Sequence, residues 1–363
     1  MIKILVVDDS ALVRKLFGQV LGKEADFEVQ FARNGVEALT QLETFRPTVV
    51  TLDVEMPQMN GLECLDRIML ERPCPVVMVS ARTKDGAEET LQALELGAVD
   101  FVLKPAGAVS LRLEEFAPQL VQKIRVAAGA KLKASARLRE RVAHRTRRRE
   151  PAPPPAVERK RRATRASGDG LVLVGTSTGG PPALEAVLSA LPARFAWPIL
   201  VAQHMPGSFT GALATRLDGL CKVRVVEVSR PTSLQPGHVY IGRGDADLIV
   251  TRRPAGLMAM SAPAEADYPW HPSTNRLVES ALRHVAPAQL VGVLMTGMGN
   301  DGAAAMTRLR QLGGATIAES KDTAVVWGMP GELVAAGGAG WTEPVHKIAA
   351  RLLKLTPTHA SNS

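Results

Sequence analysis

The sequence predicts two α/β domains, each built on a doubly wound, mostly parallel β-sheet. In both halves of the chain, short apolar runs typical of strands alternate with amphipathic patterns typical of helices, which favours parallel sheets with helices on both faces. A segment rich in arginine and proline separates the two halves. The 363 residues are therefore divided into domains at 1–125 and 170–356, a linker at 126–169 and a tail at 357–363.

Composition limits the class of protein. The 46% hydrophobic and 22% charged content is that of a globular protein in water, and no run of about 20 apolar residues predicts a membrane span. The amino-terminal run lacks a signal-peptide cleavage pattern. The three scattered cysteines have no metal or redox spacing. We expect a cytoplasmic protein with reduced thiols and no membrane insertion.

The net charge of +8 is concentrated in the linker. Residues 131–165 contain fourteen Lys or Arg and three Asp or Glu, so this segment carries +11 and the rest of the chain −3. It has no aromatic residue that could stack on bases, and we do not expect nucleic-acid binding. A plain extended tether is the favoured interpretation. The alternative is a tail that contacts an acidic surface, nucleic acid or anionic lipid.

The first domain is predicted to contain five strands with helices between them. The strand-like runs are residues 2–7, 27–31, 48–52, 75–79 and 99–102, and amphipathic helical patterns occupy residues 11–21 and 36–42. Ligands of such sheets bind beyond the carboxyl ends of the strands. The residues that follow each strand are therefore the candidates for chemistry.

Acidic residues follow two of these strands. Asp8 and Asp9 follow the first strand and Asp53 the third. Three carboxylates at one edge repel one another, and a divalent cation with hard oxygen ligands, magnesium, would relieve the repulsion. Ser80 and Lys104 end the fourth and fifth strands, where a hydroxyl and an ammonium group suit a phosphoryl group carried by Asp53. The alternative is a set of solvated loop acids.

These motifs resemble the receiver domain of two-component response regulators. The resemblance rests on Val7-Asp8-Asp9-Ser10, on residues 52–61 and on Val102-Leu103-Lys104-Pro105, and it covers residues 1 to about 125. It implies a five-stranded doubly wound fold that a histidine kinase phosphorylates on Asp53.

The resemblance also implies roles for single residues. Magnesium would be held by Asp9, Asp53 and the backbone carbonyl of Glu55, with Asp8 nearby. Ser80 and Lys104 would contact the phosphoryl group. Phe101 matches the switch aromatic of the family, and a half-buried core phenylalanine is the alternative.

The second domain shows the same alternation of strands and helices. Strands are predicted at residues 171–174, 198–202, 223–226, 238–241, 247–250, 290–295 and 315–318, and helices at 183–190, 209–217, 276–283 and 302–312. We expect a mostly parallel sheet.

Three strand ends of this domain carry residues of a nucleophilic triad. Ser177, His204 and Asp301 follow three predicted strands. A serine hydroxyl becomes a good nucleophile when a histidine takes its proton and a carboxylate orients the imidazole. The glycines of residues 175–180 are expected to leave room for substrate and for N–H groups that bind an oxyanion. The alternatives are a structural histidine and an aspartate that caps the helix after it.

The second domain resembles the CheB-type chemotaxis protein-glutamate methylesterases. The matching motifs are Val174-Gly175-Thr176-Ser177-Thr178-Gly179-Gly180-Pro181, Gln203-His204-Met205, His271-Pro272-Ser273, residues 294–303 and Trp327-Gly328-Met329-Pro330-Gly331. The resemblance implies hydrolysis of glutamate methyl esters on the cytoplasmic domains of chemoreceptors, with release of methanol, and deamidation of receptor glutamines. It implies no cofactor for the esterase reaction and a chemotaxis histidine kinase as phosphodonor.

The family triad corresponds to Ser177, His204 and Asp301. The backbone N–H of Met298 matches the oxyanion-hole position, and Thr178 is a second candidate for it. Two loops depart from the family pattern: residues 242–247 lack the usual histidine, and Thr274-Asn275 replaces the common Val-Asp. We expect these departures to affect substrate specificity more than chemistry.

The pairing of a phospho-acceptor site with a triad predicts regulation. We expect the unphosphorylated receiver to cover the esterase cleft and phosphorylation of Asp53 to favour an open form. One alternative is a non-enzymatic scaffold with an inactive esterase domain. Another is a DNA-binding response regulator, which no helix-turn-helix pattern supports.

Overall fold

The computed structural model describes residues 1–81, 83–104, 113–132 and 170–356. Most of the predicted linker and the whole predicted tail lie outside these residues. Within them, the chain forms a five-stranded sheet, a seven-stranded sheet and a small three-stranded sheet. The two larger sheets are parallel throughout, so the predicted α/β class is confirmed.

The first sheet has the strand order β2-β1-β3-β4-β5. Its strands are β1 (Ile2–Val7), β2 (Phe27–Ala32), β3 (Val49–Asp53), β4 (Val76–Ser80) and β5 (Asp100–Leu103). Its helices are α1 (Ala11–Leu21), α2 (Gly35–Thr44), α3 (Gly61–Glu71), α4 (Lys84–Leu96) and α5 (Leu113–Ala128). The chain reverses its winding direction between β1 and β3, so the carboxyl ends of these two strands flank a crevice.

Local sequence explains where four of these helices begin. In each case a side chain accepts the backbone N–H three residues later, which satisfies a donor left free at a helix start. The four capping residues are Ser10, Asn34, Asn60 and Thr83. Both β3 and β4 are buried over their whole length, as expected for central strands of a doubly wound sheet.

The second sheet has the strand order β15-β14-β13-β6-β7-β10-β8, and β11-β12-β9 form the third sheet. The strands are β6 (Leu171–Thr176), β7 (Ile199–Gln203), β8 (Arg224–Val228), β9 (Thr232–Ser233), β10 (His238–Gly242), β11 (Ala246–Arg253), β12 (Gly256–Pro263), β13 (Leu290–Leu294), β14 (Ala315–Glu319) and β15 (Trp341–Glu343). The helices are α6 (Gly180–Leu188), α7 (Gly207–Leu220), α8 (Thr274–Leu282), α9 (Ala303–Gln311), α10 (Met329–Ala335) and α11 (Val345–Leu355), with a 3₁₀ turn at Pro287–Gln289.

One predicted strand of this domain lies in a different sheet. The strand predicted at 247–250 is part of β11, which pairs antiparallel with β12 and not with the parallel sheet. The two strands follow each other directly through Pro254 and Ala255, so they form a hairpin. Helices α10 and α11 and strands β9, β12 and β15 were not predicted. No helix within the described ranges has the length and hydropathy needed to span a bilayer.

The first domain packs against the second through α4 and β5. The rings of Phe101 and Phe209 stack with centroids 4.6 Å apart. Glu95 of α4 forms an ion pair with Arg216 of α7. The Asp100 carboxylate accepts a 2.5 Å hydrogen bond from the Thr178 hydroxyl. The interface therefore reaches the residue next to Ser177.

We predict that Phe209→Ala destabilises the protein by about 3–5 kcal/mol, because Phe209 is fully buried and its loss leaves a cavity against Phe101. Chemical denaturation monitored by fluorescence and circular dichroism measures the change. Leu220→Ala is the matched control, since Leu220 ends the same helix and is 39% exposed. The control should change stability by less than about 0.5 kcal/mol, and an equal loss in both variants would contradict the prediction.

Candidate functional site

Asp8, Asp9 and Asp53 meet at the carboxyl edge of the first sheet. One carboxylate oxygen from each lies within 4.8 Å of the other two. Asp8 and Asp53 are buried, whereas Asp9 is exposed. Burial, together with the charge of Asp8, raises the pKa of Asp53 to about 6 although Lys104 opposes this. The edge predicted from the sequence is therefore a crowded, partly desolvated acidic cluster.

Lys104 is the cation that offsets this cluster. Its Nζ lies 2.7 Å from Asp53 Oδ2 and 3.2 Å from Asp8 Oδ2. Burial works against its charge, but the two carboxylates outweigh burial and raise the pKa of Lys104. An ammonium group held beside Asp53 is also placed to contact a phosphoryl group there.

The cluster fits a hard divalent cation. Its donor atoms are carboxylate oxygens, the type that magnesium prefers. Asp8 Oδ2 is buried and forms an ion pair with Lys104, so this oxygen already faces a positive charge of the kind that a bound cation would supply. The Glu55 side chain is exposed and lies outside the cluster, which leaves its backbone carbonyl as the predicted ligand.

Ser80 and Phe101 have their side-chain partners outside the acidic cluster. The Ser80 hydroxyl lies 3.1 Å from the Gly86 carbonyl and accepts a 2.8 Å hydrogen bond from Thr90, so it is bonded to α4. Phe101 is 4% exposed and packs on the second domain. The alternative interpretation expected a half-buried core phenylalanine, and Phe101 is more buried than that. Its ring lies in the interface between the two domains.

Ser177 and His204 follow neighbouring parallel strands of the second sheet. Thr176 of β6 is in register with Gln203 of β7, so the next residue of each strand is placed side by side. The His204 N–H donates to the Thr176 carbonyl at 3.0 Å, and Gln203 Nε2 donates to the Ser177 carbonyl at 3.0 Å. Ser177 also precedes α6, and the Gly180 N–H donates to its carbonyl.

Asp301 completes the predicted constellation. Its Oδ2 lies 2.8 Å from His204 Nε2. The other imidazole nitrogen, Nδ1, is buried and has no hydrogen-bond partner among the described residues. The imidazole is therefore held on one side and left with an open acceptor position on the other.

Asp301 does not cap its own helix. Helix α9 begins after Gly302 without a side-chain cap, and the Asp301 carboxylate instead accepts the N–H groups of Thr274 at 2.6 Å and Asn275 at 3.0 Å, which start α8. Burial raises the carboxyl pKa, but the His204 hydrogen bond and these N–H groups outweigh burial and lower it overall. The carboxylate stays ionised in a buried place.

Two backbone N–H groups beside Ser177 are uncommitted. Neither the Met298 N–H nor the Thr178 N–H donates a hydrogen bond within the described part of the chain. The Thr178 side chain is not available in the same way, because its hydroxyl donates to Asp100 of the first domain. A Cβ on Gly297 would lie 2.8 Å from Ser177 Cβ. Only glycine at residue 297 therefore lets the loop after β13, which carries Met298 (the Met298 loop), approach the serine this closely.

The glycines after Ser177 do not provide open space. A Cβ on Gly179 would meet Val325 at 2.8 Å, and one on Gly180 would collide with Gln203. Gly179 also has φ +76°, which L side chains rarely adopt. The expectation of room for substrate at these positions is therefore wrong: their glycines are required by the turn and by the packing of the protein itself.

Sequence reasoning missed the residues that fix these loops. Thr296 joins them, because its hydroxyl donates to the Thr178 carbonyl at 2.9 Å and its N–H donates to Glu319 at 2.8 Å. Ser273 Oγ donates to Asp301 at 3.0 Å. Ser273 belongs to the His271-Pro272-Ser273 motif, and nothing in the local sequence indicates a role for it. No local pattern marks Thr296 and Glu319 as partners.

The two sheets and their polar edges define a class of protein, a response regulator whose receiver is joined to an enzymatic domain. The family models agree: residues 4–114 match the response regulator receiver domain and residues 172–352 match the CheB methylesterase. The chain belongs to the CheB methylesterase family.

Relatives match over nearly the whole chain. A Rhodopseudomonas palustris protein named protein-glutamate methylesterase/protein-glutamine glutaminase 2 is 56% identical over 358 residues, which is 98% of each chain. A Rhodospirillum rubrum protein named protein-glutamate methylesterase/protein-glutamine glutaminase 3 is 48% identical over 97% of this chain and 95% of its own. The crystal structure of the Thermotoga maritima CheB methylesterase catalytic domain is 34% identical, covers 53% of this chain and 100% of its own, and has a TM-score of 0.50.

The lowered pKa of Asp301 predicts a pH-dependent contribution to stability. The contribution is present above the ordinary pKa of 3.8 and is lost as the pH falls through the lower pKa of the folded protein. Asp301→Asn should therefore lower the free energy of unfolding by about 1.5–3 kcal/mol at neutral pH, with a smaller loss in acid below the folded-state pKa. Urea unfolding at several pH values measures both.

Asp245→Asn is the control for this prediction, because Asp245 forms an exposed pair with Arg243 at 2.7 Å. It should change stability by no more than about 0.5 kcal/mol at either pH. A loss for Asp301→Asn that is equally large at neutral and strongly acidic pH would contradict the assignment.

Proposed function

We propose that this protein is a phosphorylation-activated serine esterase. It hydrolyses glutamate methyl esters on the cytoplasmic domains of chemoreceptors, releases methanol, deamidates receptor glutamines and acts in the cytoplasm. The observation that carries the proposal is the 2.8 Å pair of His204 and Asp301 on the strand end beside Ser177. The names of the relatives support both activities.

The geometry suggests which imidazole nitrogen acts as the base. His204 Nε2 is bonded to Asp301, so Nδ1 is the nitrogen that can take the Ser177 proton. The Ser177 oxygen then attacks the ester carbonyl, and Asp301 stabilises the imidazolium that forms. The uncommitted N–H groups of Met298 and Thr178 are placed to bind the developing oxyanion.

The second half of the reaction uses the same groups in reverse. The His204 imidazolium gives its proton to the methoxide leaving group, methanol departs, and glutamate remains bound to Ser177 as an acyl ester. His204 then takes a proton from water, and the hydroxide attacks the acyl carbonyl. The bond to Ser177 breaks, the His204 imidazolium returns its proton to the Ser177 oxygen, and the receptor leaves with a glutamate carboxylate in place of the ester. With a glutamine substrate the leaving group is ammonia and the remaining steps are identical.

The receiver supplies the control. In the proposed scheme a chemotaxis histidine kinase phosphorylates Asp53, Lys104 and Ser80 contact the phosphoryl group, and Asp8, Asp9, Asp53 and the Glu55 carbonyl hold magnesium. Magnesium there would neutralise carboxylate and phosphoryl charge. Ser80 must first leave its α4 partners. Motion of β5 would then act on the esterase through the Phe101–Phe209 stack and the Asp100–Thr178 hydrogen bond.

Ser177→Ala should reduce methanol release from methylated receptor by about 10⁴-fold or more, because the nucleophile is lost. Ser189→Ala is the control, since Ser189 is exposed at the far end of α6 and should leave the rate unchanged. Equal, measurable rates for wild type and Ser177→Ala would contradict the nucleophile assignment. No methanol release above background by either protein would favour the non-enzymatic scaffold.

Beryllofluoride with magnesium, a mimic of the phosphorylated carboxylate, should raise the esterase rate of the full-length protein. A free-energy coupling of the usual size gives about 5- to 150-fold. Asp53→Asn should abolish this response and Glu55→Gln, which keeps the backbone carbonyl, should preserve it. An unchanged wild-type rate with beryllofluoride would disprove the coupling between receiver and esterase.

A further inference from the structure

A single loop connects two buried aspartates of the second domain. The first is Asp247 of β11, which is fully buried. Its carboxylate lies 3.0 Å from His271 Nδ1, accepts the Ser273 N–H at 2.7 Å and pairs with Arg276 at 2.6 Å. Because all three partners lie within residues 271–276, Asp247 fixes both ends of this loop.

The same loop holds the second aspartate. Ser273 Oγ and the N–H groups of Thr274 and Asn275 donate to Asp301. The Thr274 N–H binds Oδ2, the oxygen that also meets His204 Nε2, whereas Ser273 Oγ and the Asn275 N–H bind Oδ1. Ser273 contacts both aspartates, Asp247 through its N–H and Asp301 through its hydroxyl. A shift of the loop therefore changes the place where the carboxylate meets His204.

Trp270, which precedes the loop, lies against the imidazole and the Met298 loop. Its ring is parallel to that of His204, with an interplanar angle of 4° and centroids 6.1 Å apart. A Cβ on Gly299 would lie 2.8 Å from Trp270 Cζ2. Because Trp270 is the residue before His271, a contact that fixes His271 also fixes the Trp270 ring. That ring lies beside the His204 imidazole and beside Gly299, which follows Met298.

We propose that Asp247 is a positioning residue for catalysis. It holds residues 270–276 so that the loop can present three donors to Asp301 and the Trp270 ring to His204. This inference rests on the proposed esterase function, in which Asp301 orients His204. A buried carboxylate is costly unless it is paired and hydrogen-bonded, and here Arg276 and the loop meet that need.

The proposal accounts for the two loop departures noted in the sequence. Residue 247, in the loop that lacks the usual histidine, is an aspartate, and the histidine that pairs with it is His271. Asn275 in place of the common aspartate still donates its N–H to Asp301, and its side chain accepts the Ala305 N–H at 3.1 Å. The departure at residue 247 thus bears on the loop that holds Asp301, and the Asn275 side chain binds the first turn of α9.

Asp247→Asn in the full-length protein tests this role. The variant keeps the side-chain volume but loses the charge and one acceptor. We expect kcat for methanol release to fall about 10- to 100-fold, the size typical for removal of a residue that orients a functional group, with KM unchanged. Glu265→Gln is the matched control, because Glu265 is the exposed partner of the same Arg276, and its kcat should equal that of wild type.

A double-mutant cycle separates positioning from a general structural effect. If Asp247 acts through Asp301, Asp247→Asn should reduce kcat far less in an Asp301→Asn background than in wild type. If the two losses multiply independently, the proposal is overturned. A wild-type kcat in Asp247→Asn overturns it as well. An inactive wild-type enzyme would instead disprove the esterase function on which the proposal rests.

A second pair of variants tests the proposal independently if Asp247→Asn does not fold. His271→Ala removes one donor to Asp247 at a partly exposed position, and His271→Asn places an amide N–H where Nδ1 stands. We expect kcat to fall for the alanine variant and to recover in the asparagine variant, at equal unfolding midpoints. Equal kcat in wild type and His271→Ala would overturn the proposal.

Discussion

The charge of Asp301 is the constraint around which the second domain is organised. A buried carboxylate survives only where donors replace water, and here the start of α8, Ser273 and His204 replace it. The start of a helix suits this task because its first N–H groups have no partner within the helix. One ion thus joins β7, α8 and the loop after β13, three pieces that are distant in sequence.

Both candidate sites follow from the same property of parallel sheets. The winding direction changes between β1 and β3 in the first sheet and between β6 and β13 in the second, and each site lies at that change. The first site gathers like charges and needs a counter-ion, which Lys104 supplies in part. The second gathers a hydroxyl, an imidazole and a carboxylate, and the imidazole and the carboxylate are paired directly. The fold places the residues, and their side-chain chemistry decides the function.

The positions of site residues could be predicted from the sequence because strand ends can be recognised locally. The apolar runs stop just before Asp53, Ser177 and His204, and parallel pairing brings such ends together. Side-chain partners could not be predicted. Asp301 meets Thr274 across 27 residues of chain, Thr178 meets Asp100 across 78, and Ser80 is bonded to α4. Such pairs depend on tertiary packing, which the local hydrophobic periodicity of the sequence does not reveal. The antiparallel pairing of β11 with β12 was not predicted for the same reason.

The stacked rings of Phe101 and Phe209 join the two domains, so binding at the esterase site can also affect the receiver. Thermodynamic linkage is reciprocal: if occupancy of the first site changes the affinity of the second for its ligand, the second changes the first by the same free energy. A receptor segment bound at Ser177 that prefers the domains apart would therefore favour the receiver conformation that binds a phosphoryl mimic and magnesium. In the proposed scheme, the substrate would thus act as an effector of the receiver that controls its hydrolysis.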